Sequence, residues 1–195
     1  MRDFTLFLGK FLRHGTAIAS LAPSSRWLSR ATVANIDWAR PSVIVELGAG
    51  TGPVTRVLAR RAAPGSRVLV VERDPDFARL LRERFGDAPA LEVIEGDARD
   101  LAGMLRDRGV DRVDHVVSGL PTPSLPRDAR RDVIRAVGES LKPEGTFNQI
   151  TEMPWVYLGL YRRLFREVRF RFEPRNFPPG GVYYCRGVRP EGATP

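Results

Sequence analysis

The stretch Val43-Ile44-Val45-Glu46-Leu47-Gly48-Ala49-Gly50-Thr51-Gly52-Pro53 decides the fold. Its first five residues are a short, mostly apolar run of the kind buried in a parallel sheet, and a glycine turn and a helical pattern to about Arg61 follow. Glycine lets backbone approach a ligand closely, and the N-terminus of a helix offers N–H groups that lack an intrahelical acceptor. Outward from this turn the alternation repeats. Strands are expected at Arg67–Val71, Leu91–Glu95, Val113–Ser118 and Gly145–Thr151, with helices at Pro75–Phe85, Ala98–Arg108 and Arg127–Leu141. Two further strand-like runs, Val168–Phe172 and Val182–Cys185, make seven, with an aromatic, arginine-bearing segment (Trp155–Glu167) before them. Strands alternating with helices imply an α/β protein: a mostly parallel sheet with helices on both faces.

Three carboxylates fall at strand C-termini, the edge where such sheets bind ligands. Glu46 stands two places before Gly48, Glu72 closes the second strand with Arg73 beside it, and Asp97 follows Gly96 at the end of the third. A dinucleotide fingerprint wants G-x-G-x-x-G, but here the third glycine comes one residue early and Pro53 holds the last position. A carboxylate ahead of the glycines suits a sulfonium better than a phosphate. Glu72 can accept both hydroxyls of a ribose, and the Asp97-Ala98 turn can meet an adenine amine. Each feature alone has a plainer reading: a structural turn, a surface acid, a helix cap. Together and in order they point to a nucleoside ligand carrying a cation.

Composition sets the outer limits. The 195 residues are 43% hydrophobic and 28% charged, which excludes a disordered or collagen-like chain and suits one domain with a real core. No stretch without Asp, Glu, Lys or Arg exceeds a dozen residues, against about 20 for a membrane span. Lys10 and Arg13 interrupt what would be the apolar centre of a signal peptide, so a cytoplasmic location is expected. Cys185 is alone, which removes a disulfide framework, and no grouping of His, Asp or Glu has metal-ligand spacing. The net charge is +8, split as +4 over residues 1–40, zero over 41–151 and +4 over 152–195. Basic flanks around a neutral middle suit an anionic partner, either nucleic acid or a membrane surface, unless they reflect only an arginine-rich composition.

The first forty residues differ from the rest. On a helical wheel Phe4, Phe7, Leu8, Phe11 and Leu12 share one face, and Arg2, Lys10 and Arg13 lie opposite. Pro23 ends this pattern, and Ser24 or Ser25 can cap a second helix to about Asn35. Such a helix either lies in a bilayer interface or packs on the sheet as core.

The glycine turn, Glu72 and Asp97 taken together resemble the class I S-adenosylmethionine-dependent methyltransferases, over roughly residues 41–187. The resemblance implies that family's Rossmann-like fold, with Gly48, Gly50 and Gly52 around the amino-acid end of S-adenosylmethionine, Glu72 on the ribose, and Asp97 and Ala98 by the adenine. Ser118-Gly119-Leu120-Pro121 ends the fourth strand, beside the transferable methyl in this fold. Ribosomal RNA adenine dimethylases carry N-L-P-aromatic there; Thr122 follows Pro121 here, so the stacking ring is missing.

The chain looks more like the small peripheral bacterial phospholipid N-methyltransferases, which carry phosphatidylethanolamine stepwise toward phosphatidylcholine. Matching segments are Ala22-Pro23-Ser24-Ser25-Arg26, Gly145-Thr146-Phe147-Asn148-Gln149 and Asn176-Phe177-Pro178-Pro179-Gly180-Gly181-Val182-Tyr183. The expected organisation is docking and capping helices over residues 1–40, also covering the cofactor, a methyltransferase domain over 41–187 and a tail over 188–195. The expected place is the inner face of the cytoplasmic membrane, on phospholipid headgroups, with no metal and no obligate protein partner. Ser118, Gly119, Leu120 and Tyr183 are the candidate catalytic positions: carbonyls around Gly119 and Leu120 orient the amine, and Tyr183 offers a hydrogen bond or an aromatic wall. Phe4, Phe7, Leu8, Lys10, Phe11, Arg13, Ser24 and Pro121 are the candidate lipid-facing positions, and Trp155, Tyr157, Leu160 and Tyr161 beside Arg162, Arg163 and Arg166 form a second possible interfacial patch. RNA adenine methylation is the alternative.

Overall fold

The computed structural model describes residues 24–153 and 155–189. Its strands are β1 (Val43–Leu47), β2 (Arg67–Glu72), β3 (Leu91–Glu95), β4 (Val113–Ser118), β5 (Leu141–Thr151), β6 (Phe165–Glu173) and β7 (Gly180–Val188). They form one sheet in the order β3-β2-β1-β4-β5-β7-β6. The first five are parallel, and β7 runs antiparallel between β5 and β6. The helices are α1 (Arg26–Thr32), α2 (Pro53–Arg61), α3 (Pro75–Phe85), α4 (Leu101–Arg106), α5 (Arg127–Ser140) and α6 (Leu158–Leu164).

Both faces of the central strands are apolar, and successive residues serve opposite faces. Val45, Leu47, Leu69, Val71 and Val116 pack with Leu101, Leu105, Ile134 and Val137 of α4 and α5. Their neighbours Ile44, Val68, Val70 and Val117 pack with Val54, Leu58 and Leu81 of α2 and α3. The chain leaves β1 toward β2 and β3, then returns to the other side of β1 as β4. That reversal opens a crevice beyond the C-terminal ends of β1 and β4, where the glycine turn and the Ser118–Pro121 loop lie.

The expected seven-stranded sheet is present, with four local differences. The helix expected over 98–108 is a 3-10 turn, Ala98–Asp100, followed by the shorter α4. Strand β5 begins at Leu141, with an irregular register against Val113 and His115 of β4. Strand β6 begins at Phe165, inside the aromatic, arginine-bearing segment and ahead of the strand expected at Val168, because Phe165 is fully buried and stacks on Phe147 with centroids 5.3 Å apart. Helix α1 stops at Thr32, short of Asn35, whose side-chain amide instead exchanges hydrogen bonds with Asn148 on β5.

Helix α1 is clasped to the sheet by polar side chains. Ser25 caps it by accepting from the Leu28 N–H, and Asn148 Nδ2 donates to the Thr32 carbonyl at 2.8 Å. The Ser25 N–H donates to Asn176 Oδ1 at 2.8 Å, and the Tyr184 hydroxyl donates to the Ala31 carbonyl. Two segments set apart in the sequence, Ala22–Arg26 and Asn176–Tyr183, thus meet at one hydrogen bond. Phe4, Phe7, Leu8, Lys10, Phe11 and Arg13 lie outside the described residues, as does most of the tail expected from 188. Among the described residues no helix is long and apolar enough to cross a membrane, and no cluster of His, Cys, Asp or Glu has a metal-site arrangement.

Candidate active site

Each of the three glycines in the turn has positive φ, but they answer different needs. A Cβ on Gly48 would come within 2.6 Å of Leu120 Cδ2, and one on Gly52 within 2.7 Å of Phe85 Cε2. Gly48 therefore lets the loop after β4 close onto the turn, and Gly52 lets α3 pack against α2. Only Gly50 faces open space, with nothing within 4 Å of its Cβ position. Of the three glycines expected around the cofactor, Gly50 is the one whose missing side chain leaves a cradle. Pro53, at the first position of α2, has no N–H to lose there.

Glu72 shapes that cradle. Its Oε2 accepts from the Gly50 N–H at 2.8 Å and its Oε1 from the Asp74 N–H at 3.0 Å. Each oxygen keeps a free lone pair, and the carboxylate is held in one orientation, as bidentate recognition of a diol requires. Asp97 caps the turn at Ala98 and chelates Arg99, with Oδ1 to Nε at 3.0 Å and Oδ2 to NH2 at 2.8 Å. Those bonds to the Arg99 side chain hold its carboxyl below the usual range, so it stays ionised and able to accept from an amine. Arg73 is exposed and only 4.0 Å from Asp97 Oδ2, while the Ala98 side chain is buried in the core.

Glu46 is buried at 3% exposure, and Thr55 Oγ1 donates to its Oε2 at 2.7 Å. Burial pushes its pKa up to about 7, against the Thr55 bond, with the nearby Glu72 charge pushing the same way. A cation bound beside β1 would draw it back toward the ionised form. Thr55, not singled out in the sequence, is thus the residue that orients this carboxylate.

The loop after β4 is braced from β5. Gln149 Nε2 donates to the carbonyls of Ser118 (3.2 Å), Leu120 (2.8 Å) and Ile150 (2.9 Å), and its Oε1 accepts from Thr122 Oγ1 at 2.8 Å. The Leu120 carbonyl also accepts from the Thr122 N–H at 2.8 Å. Its two lone pairs are spoken for, which corrects the expectation that it orients an amine. Gly119 is exposed, and no donor among the described residues reaches its carbonyl, so it is the one left for that task. A Cβ there would sit 2.6 Å from the Gly48 carbonyl. Ser118 is fully buried with its Oγ accepting from the Leu120 N–H at 3.3 Å, and Pro121 is half-buried. Thr122 is fully buried, so the position that carries an aromatic ring in RNA adenine dimethylases has no room for one here.

Tyr183 does not stand open to a ligand. It is fully buried on β7 opposite Gln149, stacked on Tyr161 (centroids 4.6 Å apart) and tilted against Phe170 (4.9 Å). Tyr161, expected at an interface, is fully buried too. Among the described residues neither hydroxyl completes a hydrogen bond, although the Thr122 side chain stands near that of Tyr161 and the backbone of Tyr157 and Trp155 near that of Tyr183. Burial raises both pKa values, so both stay neutral phenols. A buried hydroxyl without a full hydrogen bond costs about 1–3 kcal/mol.

The surface beyond this edge is apolar. Met153, Trp155, Val156 and Phe172 are 50%, 60%, 61% and 40% exposed, and the Trp155 ring lies 5.2 Å from that of Phe172. Of the aromatic segment, Trp155 and Val156 face solvent, while Tyr161 and Leu164 belong to the core. His115 lies at the other end of β4, its Nδ1 2.8 Å from Thr146 Oγ1, and burial lowers its pKa, consistent with a structural role.

This sheet order, with carboxylates at the ends of β1, β2 and β3 around an open glycine cradle, defines a class I methyltransferase. A family model described as "Methyltransferase domain" matches residues 44–145. The chain belongs to this family of S-adenosylmethionine-dependent methyltransferases. It is 64% identical to the ornithine lipid N-methyltransferase of Singulisphaera acidiphila over 97% of this chain and 98% of that one. A ribosomal RNA small subunit methyltransferase A from Synechococcus is 48% identical, over only 30% of this chain and 20% of that protein. Among solved structures, a TehB-like S-adenosylmethionine-dependent methyltransferase from Corynebacterium glutamicum shares the fold, with TM-score 0.57 and 17% identity over 95% of this chain and 97% of that one. The cofactor fits the residues present: Gly50 leaves the space, Glu72 the fixed diol acceptor and Asp97 the ionised acceptor for the adenine amine.

Proposed function

We propose that the chain is a lipid N-methyltransferase whose acceptor is the amine of an ornithine lipid headgroup. The observation that carries this reading is the 64% identity, over nearly the whole length of both chains, to a protein named for that activity. Phosphatidylethanolamine, the acceptor suggested by Ser118–Pro121 and Asn176–Tyr183, offers the same primary amine on a different anionic group and is the second acceptor. The hydrogen bond from Ser25 to Asn176, which joins two of the matching segments, favours keeping it. RNA is disfavoured, because the likeness to ribosomal RNA enzymes covers 29–49% of this chain and the stacking position is a buried threonine.

S-adenosylmethionine supplies an electrophilic methyl when bound. The chain's own residues position the nitrogen and remove its water. The exposed Gly119 carbonyl accepts one N–H of the incoming amine, and Gln149 keeps the loop from relaxing as it does so. The phenols of Tyr161 and Tyr183 are neutral and buried, so they do not act as bases. An ammonium has no lone pair, so a proton leaves before attack, and orientation with desolvation carries most of the acceleration. Met153, Trp155, Val156 and Phe172 would enter the acyl boundary at the same edge, bringing the headgroup to the crevice.

Production of the chain in a bacterial host that makes both ornithine lipid and phosphatidylethanolamine tests the reading. Mass spectrometry of extracted lipid is expected to show one to three added methyl groups on ornithine lipid first. Methylated ribosomal RNA with unchanged lipids would contradict it.

A further inference from the structure

Helices α1 and α2 enclose a cavity of about 430 Å³ lined by Ser24, Ser29, Thr51, Pro53 and Val57 together with six arginines. The arginines are Arg26, Arg30, Arg56, Arg60, Arg61 and Arg84, and no acidic residue joins them. No salt bridge among the described residues involves Arg26, Arg30, Arg56, Arg60 or Arg61. Arg26, Arg30, Arg56, Arg60 and Arg61 gathered without a carboxylate repel one another. Three lie near indole rings: Arg26 and Arg30 are 4.6 and 5.9 Å from the Trp27 ring centroid, which Arg175 also approaches at 4.1 Å, and Arg61 is 5.8 Å from that of Trp38. A guanidinium beside a ring still has N–H donors to offer a bidentate acceptor.

We propose that this cavity is a binding site for a phosphate oxyanion, carried by a phospholipid headgroup or by a soluble phosphate. The volume suits a headgroup-sized ligand, and planar forks converging on one hollow match tetrahedral oxygens better than they match a single point charge. The site adjoins the glycine turn at Thr51 and Pro53, and none of its arginines is given a part in methyl transfer. It stands whether or not an ornithine lipid is the acceptor.

The test uses the full chain at fixed ionic strength, with two probes: inorganic phosphate followed by thermal shift, and flotation with phosphatidylglycerol vesicles against neutral phosphatidylcholine vesicles. Arg56→Gln/Arg60→Gln is expected to weaken the response roughly twentyfold, about fivefold per arginine. Arg169→Gln/Arg171→Gln, on β6 and away from the cavity, removes the same charge and is expected to change it less than twofold. Stabilisation by S-adenosylhomocysteine, unchanged in both variants, verifies that they fold. Loss on both probes identifies a general phosphate site, and loss on vesicles alone identifies the lipid headgroup as the source. An α2 variant that responds like the wild type overturns the proposal. So does equal loss in the β6 variant, or retention on duplex RNA with no response to phosphate or phosphatidylglycerol.

Discussion

At Gly50 and Gly119 the same substitution is expected to fail for opposite reasons. Gly50→Ala places its Cβ in open space, so its structural cost is the positive φ of 56°, about 1–2 kcal/mol. Its larger effect is on the cradle: thermal stabilisation by S-adenosylhomocysteine should disappear while the apo melting temperature falls by only a few degrees. Gly119→Ala drives a Cβ to 2.6 Å from the Gly48 carbonyl, and backbone must move. A loss of stability of about 1–3 kcal/mol and of methyl transfer together is expected there. Glu46 makes a pH prediction. Its carboxyl ionises near 4.5 when unfolded and near 7 when folded, so the folded state holds the proton more tightly. Its contribution to stability is full below pH 4.5 and is lost as pH rises to about 7, a change of about 3 kcal/mol. Glu46→Gln keeps an acceptor for Thr55 and never ionises. Denaturant unfolding should find it equal to the wild type at pH 4 and more stable at pH 8. Equal stability at both pH values would mean that Glu46 ionises normally in the fold. Of this scale, the three carboxylates and the glycines were legible from their order at strand ends. The division of labour among the glycines was not, because it depends on Leu120 and Phe85, which are distant in sequence.

Strand β5 sets the acceptor side of the crevice through residues that look out of place in it. Asn148 and Gln149 lie between Phe147 and Ile150, and both are buried to within 1%. One clasps α1 and the other braces the loop after β4. Polar residues at the centre of a buried strand were the available sequence signal, but their partners come from other elements and could not be read. The tyrosine pair was half legible. Tyr183 stood out as a candidate and Tyr161 was assigned to an interface, because helical spacing cannot show that both rings stack beneath β5. Since neither hydroxyl completes a hydrogen bond, Tyr161→Phe and Tyr183→Phe should leave stability within about 1 kcal/mol or raise it. Both variants are expected to keep the wild-type KM for lipid and cofactor affinity. A raised KM for lipid at unchanged melting temperature would mean that a headgroup reaches the phenols.

Over the whole molecule, the topology was legible because both faces of the sheet are apolar, which gives short strands an unbroken hydrophobic signature. Two surfaces stand out among the described residues: the arginine-lined cavity of α1 and α2, four of whose arginines come from the neutral middle of the chain, and the apolar rim of Met153, Trp155, Val156 and Phe172. The rim contains the one non-glycine residue of positive φ among those described, Trp155 at 68°, a conformation that costs a bulky side chain about 1–3 kcal/mol. Trp155→Gly relieves that cost and removes the ring, so the two effects on stability nearly cancel. Vesicle flotation should show binding about tenfold weaker with little change in melting temperature. Unchanged binding would mean that the rim stays out of the bilayer.

The central claim is that a cofactor cradle at Gly50 serves a lipid amine delivered to Gly119. Transfer of labelled methyl from S-adenosylmethionine to defined vesicles measures it directly. Label is expected in ornithine lipid, in phosphatidylethanolamine at a lower rate, and in neither once Gly50 is replaced by alanine. Label that enters added ribosomal RNA and leaves both lipids unmodified would contradict the account.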